Sequence, residues 1–279
     1  MFATSSRFHS VIEKLSYVFL IIGVFATPFF IDKKLINYFV VPKQYIFIGI
    51  TLLSLLCLAI RTILLKQIKI RQTIIDLPVL AILGAAIFSA IFSVSGFESF
   101  LGRNEYFVIN LVYLIFLIIF YFLLTNNLTS YARWQTIFDV LAGAIGISAV
   151  LFIVKSLFGQ DLSGWWFPSV WNFIDNVNST FGVWLIIGFL LSAGYLIKKD
   201  IPVIRIIFSF SVAALTLIAL MLLSFKILWW VLLAGLVLLL LLGTSVLRET
   251  RIGWLSALFA VLVATIIFVV FGTPKFLQA

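Results

Sequence analysis

Nine apolar runs, each about 17–23 residues long and set apart by short polar punctuation, make up most of the chain. They fall near 15–31, 44–60, 76–94, 106–125, 134–156, 180–197, 206–225, 227–247 and 252–271. Runs of this length without two-residue alternation predict membrane-spanning helices rather than a barrel. The stretch from Arg205 to Arg248 shows how length decides the count. Its one internal charge is Lys226, between the charge-free segments Ile206–Phe225 and Ile227–Leu247. As one helix it would be about 66 Å long, roughly twice the ~30 Å hydrocarbon core, so the chain is expected to turn back near Ser224-Phe225-Lys226.

The polar punctuation refines the picture. Arg7 and Lys14 precede the first run, and no small-residue cleavage site lies before Asp32-Lys33-Lys34, so that run reads as an uncleaved span. Pro78 falls in the first turn of the third run, where proline is tolerated. Ala142, Gly143, Ala144 and Gly146 in the fifth run suit close helix contact. Ser95 to Glu105 reads as a polar connector, and Gly159 to Ser179 is the longest non-apolar segment. Residues 1–279 thus read as one transmembrane domain: an all-α, polytopic bundle of about nine spans.

Composition agrees. The 279 residues are 64% hydrophobic and 10% charged, against roughly 25% charged in a soluble domain. The net charge of +9 sits in short loops, which points to membrane topology and away from nucleic acid. Cys57 is the lone cysteine and His9 the lone histidine, so no intrachain disulfide is possible and no metal or other cofactor site is expected.

Lysine and arginine set the orientation. A cytoplasmic N-terminus puts twelve of the 19 basic residues inside: Arg7, Lys14, Arg61, Lys66, Lys69, Arg71, Arg133, Lys198, Lys199, Arg205, Arg248 and Arg251. Lys33, Lys34, Lys43, Arg103, Lys155, Lys226 and Lys275 fall outside. The bias favours N-terminus in and, with nine spans, C-terminus out. Asp76 and Asp139 then lie near cytoplasmic helix ends, where an acid in a first turn suits the helix dipole. No run carries an acid near mid-membrane, which argues against an ion-coupled carrier.

The unusual polar clusters all fall on the outer side. Lys43, Arg103, Lys155 and Lys226 stand near that boundary, with Glu98, Glu105, Asp161 and Asp175 and the asparagines Asn172, Asn176 and Asn178. Such a mouth suits a lipid-linked anion such as a polyprenyl diphosphate, whose charge fixed cations would offset. The same cations also read as side chains snorkelling to the interface. Trp165, Trp166, Phe167, Trp171 and Phe173 read equally as a sugar-stacking surface or as an interfacial aromatic belt.

Four segments resemble, in order, those of the O-antigen ligase and O-antigen polymerase-like bacterial membrane proteins. They are Val41-Pro42-Lys43; Phe92-Ser93 with Phe100-Leu101-Gly102-Arg103; Asn176-Val177-Asn178 with Phe181-Gly182; and Ser224-Phe225-Lys226. The resemblance implies metal-independent glycan transfer on the outer face of the bacterial cytoplasmic membrane, as in lipopolysaccharide biosynthesis. The donor it implies is a glycan on undecaprenyl diphosphate, and the acceptor a lipid core, another glycan or a protein. Carried over position by position, Lys226 stands where the family usually has arginine, Arg103 follows the Ser/Gly connector, and Asn178 matches the family asparagine. With Lys43 these are the candidate substrate-binding residues; no catalytic residue is assigned. The resemblance also implies a histidine in a late outer loop, and His9 lies on the opposite side. These residues are therefore expected to be the N-terminal part of a longer family member. Two other functions stay open: a flippase or transporter of lipid-linked glycans, which needs a polar path through the bundle, and a non-catalytic scaffold in envelope assembly.

Overall fold

The computed structural model describes residues 2–29, 41–66, 71–101, 110–158, 178–197, 202–223 and 226–244. Among them every regular element is helical. In chain order these are α1 (Phe2–Ala26), α2 (Val41–Leu65), α3 (Asp76–Ile91), α4 (Gly96–Leu101), α5 (Leu111–Asn127), α6 (Tyr131–Phe158), α7 (Asn178–Ile197), α8 (Val203–Leu223) and α9 (Lys226–Thr244). A short 3-10 turn, Thr27–Phe29, extends α1. Among the described residues four helical stretches are long and apolar enough to cross a membrane: Val11–Phe29, Pro42–Leu65, Tyr131–Leu157 and Val203–Leu223. Asp76–Ile91, Leu111–Asn127, Phe181–Leu196 and Ile227–Leu239 are shorter apolar helices. The described residues are thus all-helical, with apolar helices of the kind a membrane protein carries. The expected run at 252–271, the Trp-rich segment and Ser224-Phe225 lie outside the described residues.

Local chemistry explains where helices begin. The Asn110 side chain accepts from the Tyr113 N–H at 2.6 Å and so caps α5. Ser130 accepts from the Arg133 N–H at 3.3 Å and opens α6. At α3 the Thr73 N–H donates to Asp76 Oδ2 at 2.7 Å, while the Asp76 N–H donates back to the Thr73 carbonyl at 3.2 Å. The pair closes a tight turn just ahead of α3. The expected polar connector is partly helical, as α4. Ser99 donates its hydroxyl to Ser93 Oγ at 2.7 Å and its N–H to the Ser95 carbonyl at 3.0 Å, which holds one short turn together.

The contacts divide the chain into two compact units, Met1–Val140 and Leu141–Ala279, with the boundary inside α6. In the first, α1 and α2 pack antiparallel: Gly23 lies against Ile50, and Glu13 meets Arg61. Helix α5 packs on α2, where the Phe47 ring stands 5.6 Å from Tyr113 and 4.9 Å from Phe120. Polar side chains are buried here, and most satisfy themselves. Thr51 donates to the Phe47 carbonyl and Thr125 to the Phe122 carbonyl, each on its own helix.

The second unit is built around α7. Glycine lets its neighbours come close, because a Cβ on Gly188 would collide with the Ile145 side chain of α6. The Phe152 and Phe181 rings meet at 5.3 Å. A step of seven residues up α6, from Ile145 to Phe152, is thus matched by seven back along α7. The two helices are antiparallel. Gly182 faces Leu228, Leu190 faces Gly235 and Gly194 faces Leu239, so α7 and α9 run parallel. Gly143 and Gly146 of α6 meet Phe208 and Val212 of α8, again parallel. The small residues expected to mediate close contact do so. Ala142 and Ala144 are buried beside them.

Candidate functional site

The helix register places the expected outer residues. Asn178 is the first residue of α7 and Lys226 the first of α9. Because these helices are parallel and in contact from Gly182–Leu228 onward, both residues stand at the same end of the second unit. The antiparallel α6–α7 register adds a third. Lys155 lies three residues beyond Phe152, and Asn178 three before Phe181, so the ring contact carries Lys155 on to the level of Asn178. Residues three apart share a helix face. Lys155 therefore sits on the face of α6 turned to α7. The sequence lists it among the outer cations but does not single it out; the signal is the antiparallel step, invisible without the packing.

Lys43 belongs to the first unit, on the opening turn of α2, half-buried beside the buried Pro42. Arg61 lies 18 residues along the same helix, about 27 Å away and close to the ~30 Å hydrocarbon thickness. Arg103 lies outside the described residues. The structure thus brings Asn178, Lys226 and Lys155 to one end of the second unit and sets Lys43 at one end of α2.

The opposite end of α2 carries a polar knot that the sequence does not foretell. Arg133 Nη1 donates to Glu13 Oε1 at 2.8 Å and to the Asn127 carbonyl at 2.8 Å. Arg61 Nη2 stands 3.7 Å from the other carboxylate oxygen. The Tyr17 hydroxyl donates to the Arg133 carbonyl at 3.1 Å, and the guanidinium lies 5.3 Å above the Tyr17 ring. Asn127 Nδ2 donates to Ser16 Oγ at 3.2 Å. Arg71 joins from the loop: its N–H donates to Asn126 Oδ1 and its Nη1 to the Leu128 carbonyl, both at 2.9 Å. Two arginines thus satisfy carbonyls at the end of α5, where the helix dipole is negative. Nearby, the Tyr121 hydroxyl donates to Asp76 Oδ1 at 2.8 Å.

These bonds gather α1 near Glu13, the end of α2, the start of α3, the end of α5 and the start of α6. Arg61, Arg71 and Arg133, all expected on one side, do share one end of the first unit. No group of three or more His, Cys, Asp or Glu able to hold a metal occurs among the described residues. Comparison with protein-family models, curated proteins and solved structures gives no match.

Proposed function

We propose that this chain is the membrane part of a glycan transferase of the O-antigen ligase and polymerase type, acting at the outer face of the bacterial cytoplasmic membrane. On this reading the end of the first unit bearing Arg61, Arg71 and Arg133 is cytoplasmic. The ends bearing Lys43 and Lys226 face outward, and the chain spans the membrane about nine times. The observation that carries the proposal is the parallel packing of α7 and α9, which sets Asn178 and Lys226 at one end. These are two of the positions that carry the family resemblance.

The chemistry follows from charge. A polyprenyl diphosphate becomes a leaving group when the glycan moves to the acceptor hydroxyl, and negative charge develops on its bridging oxygen. Lys226 offsets that charge as a fixed cation, and the positive ends of α7 and α9 act in the same sense. Arg103 and Lys43 are the other residues that the family resemblance offers for substrate binding. Lys226 supplies a point charge in place of the bidentate fork of an arginine, so it holds phosphate without fixing its orientation. The test is transfer activity of Lys226→Ala in cells that express it at wild-type level. Loss of transfer, with recovery in Lys226→Arg, is expected; undiminished transfer in Lys226→Ala ends the proposal.

A further inference from the structure

The polar knot of the first unit holds more positive charge than it consumes. Lys14, Arg61, Lys66, Arg71 and Arg133 come together from α1, α2, the following loop and α6. The acids near them are Glu13, Asp76 and Asp139, the last about 9 Å further along α6 by helical rise. Glu13 is shared between two guanidiniums, and Asp76 takes bonds from Thr73 and Tyr121. Lys14, Lys66 and Arg71 are exposed and make no ion pair among the described residues.

Aromatic residues mark the depth of this charge. Tyr131 and Trp134 flank Arg133 on the first turn of α6 and are 59% and 37% exposed, and Tyr17 sits beneath the guanidinium. Exposed Tyr and Trp on an apolar helix lie at headgroup level. The cations are therefore level with lipid phosphates. Basic residues drawn from several helices at that level bind anionic headgroups.

We infer that this end of the first unit is a binding site for anionic phospholipid, with Lys14, Lys66 and Arg71 contacting the headgroup phosphate and Arg133 and Glu13 holding the helices that present them. The inference does not depend on the glycan-transfer reading. It is tested by native mass spectrometry of the full chain in detergent, with phosphatidylglycerol and phosphatidylcholine of equal chain length in competition. Preferential retention of phosphatidylglycerol is expected, weakened about fivefold for each cation removed in Lys14→Gln and Lys66→Gln. Neither lysine makes a hydrogen bond that the fold relies on, so these variants keep the test valid if Arg71→Gln fails to fold. The control Lys34→Gln, at a basic residue expected on the opposite side, is expected to leave retention unchanged. Equal retention of the two lipids overturns the site. So does an equal loss in the control, or full displacement of the lipid by millimolar inorganic phosphate, which would make it a site for free phosphate.

Discussion

Arg133 and Glu13 are 120 residues apart in the chain, yet one guanidinium nitrogen lies 2.8 Å from the carboxylate. The same nitrogen reaches the last turn of α5. One side chain therefore ties α1, α5 and α6 together, and Arg61 adds α2.

Removing the carboxylate in Glu13→Gln leaves two arginines without their shared acid. Hydrogen bonds to charged groups are worth about 1.5–3 kcal/mol, and a quarter-exposed pair belongs at the low end of that range. The expected outcome is a lowered unfolding midpoint in detergent. A double-mutant cycle with Arg133→Gln should show coupling of about 0.5–3 kcal/mol, since the two side chains touch. Additive effects would mean that the contact contributes nothing.

Two glycines predict opposite signs. Gly84 of α3 has open space where a Cβ would go. Gly84→Ala should be neutral or stabilising by up to about 1 kcal/mol through helix propensity. Gly188→Ala drives its methyl into Ile145 and should cost about 1–3 kcal/mol by overpacking. Thermal scans of the two purified variants, side by side, check the contrast.

The register of α6 against α7 predicts a crosslink. In a Cys57→Ser background, cysteines at Lys155 and Asn178 should oxidise to a disulfide, whereas a pair at Val150 and Asn178 should not, because the antiparallel step separates them by about 7 Å along the axis. A gel-shift assay under mild oxidation reads the result.

Sidedness can be read with cysteines at Lys14 and Lys226 in the same background. An impermeant thiol reagent applied to intact cells should label the cysteine at 226 and spare the one at 14. The reverse pattern would invert the membrane orientation on which the outer-face reading rests.

If glycan transfer is the activity, Lys155 adds to the field at that end of α6. Lys155→Ala should lower transfer by about 10-fold or less, far more mildly than Lys226→Ala, and Lys155→Arg should restore it. One charge near a diphosphate is worth about 1 kcal/mol when solvent still screens it. An assay with radiolabelled donor in membranes separates the variants.

The helices were legible because membrane spans announce themselves by length and by the absence of charge, and the turn near Lys226 followed from arithmetic on the bilayer. Close packing at Gly143 and Gly146 was legible too, since small residues in a span have few other uses. Glu13 was not: an acid just ahead of the first apolar run looks like any boundary residue until a partner 120 positions away arrives. The short helix α4 was hidden by the glycine and serines that read as loop. Its turn is held by Ser99 bonding to Ser93 and Ser95, with no apolar period for the sequence to display. Lys155 lacked a signal of its own, because its level depends on where Phe152 finds Phe181.

Helix α7 contacts α6 through Gly188 and α9 through Gly182 and Leu190, so its partners are made both before and after it on the ribosome. Once α7 has been made, its Gly188 side can dock on a helix already present. Its Gly182 side must wait until some fifty further residues have been synthesised. Packing of the second unit therefore follows the order of synthesis: α6 is present before α7, α8 packs on α7 next, and the groove at Gly182 stays open until α9 is made.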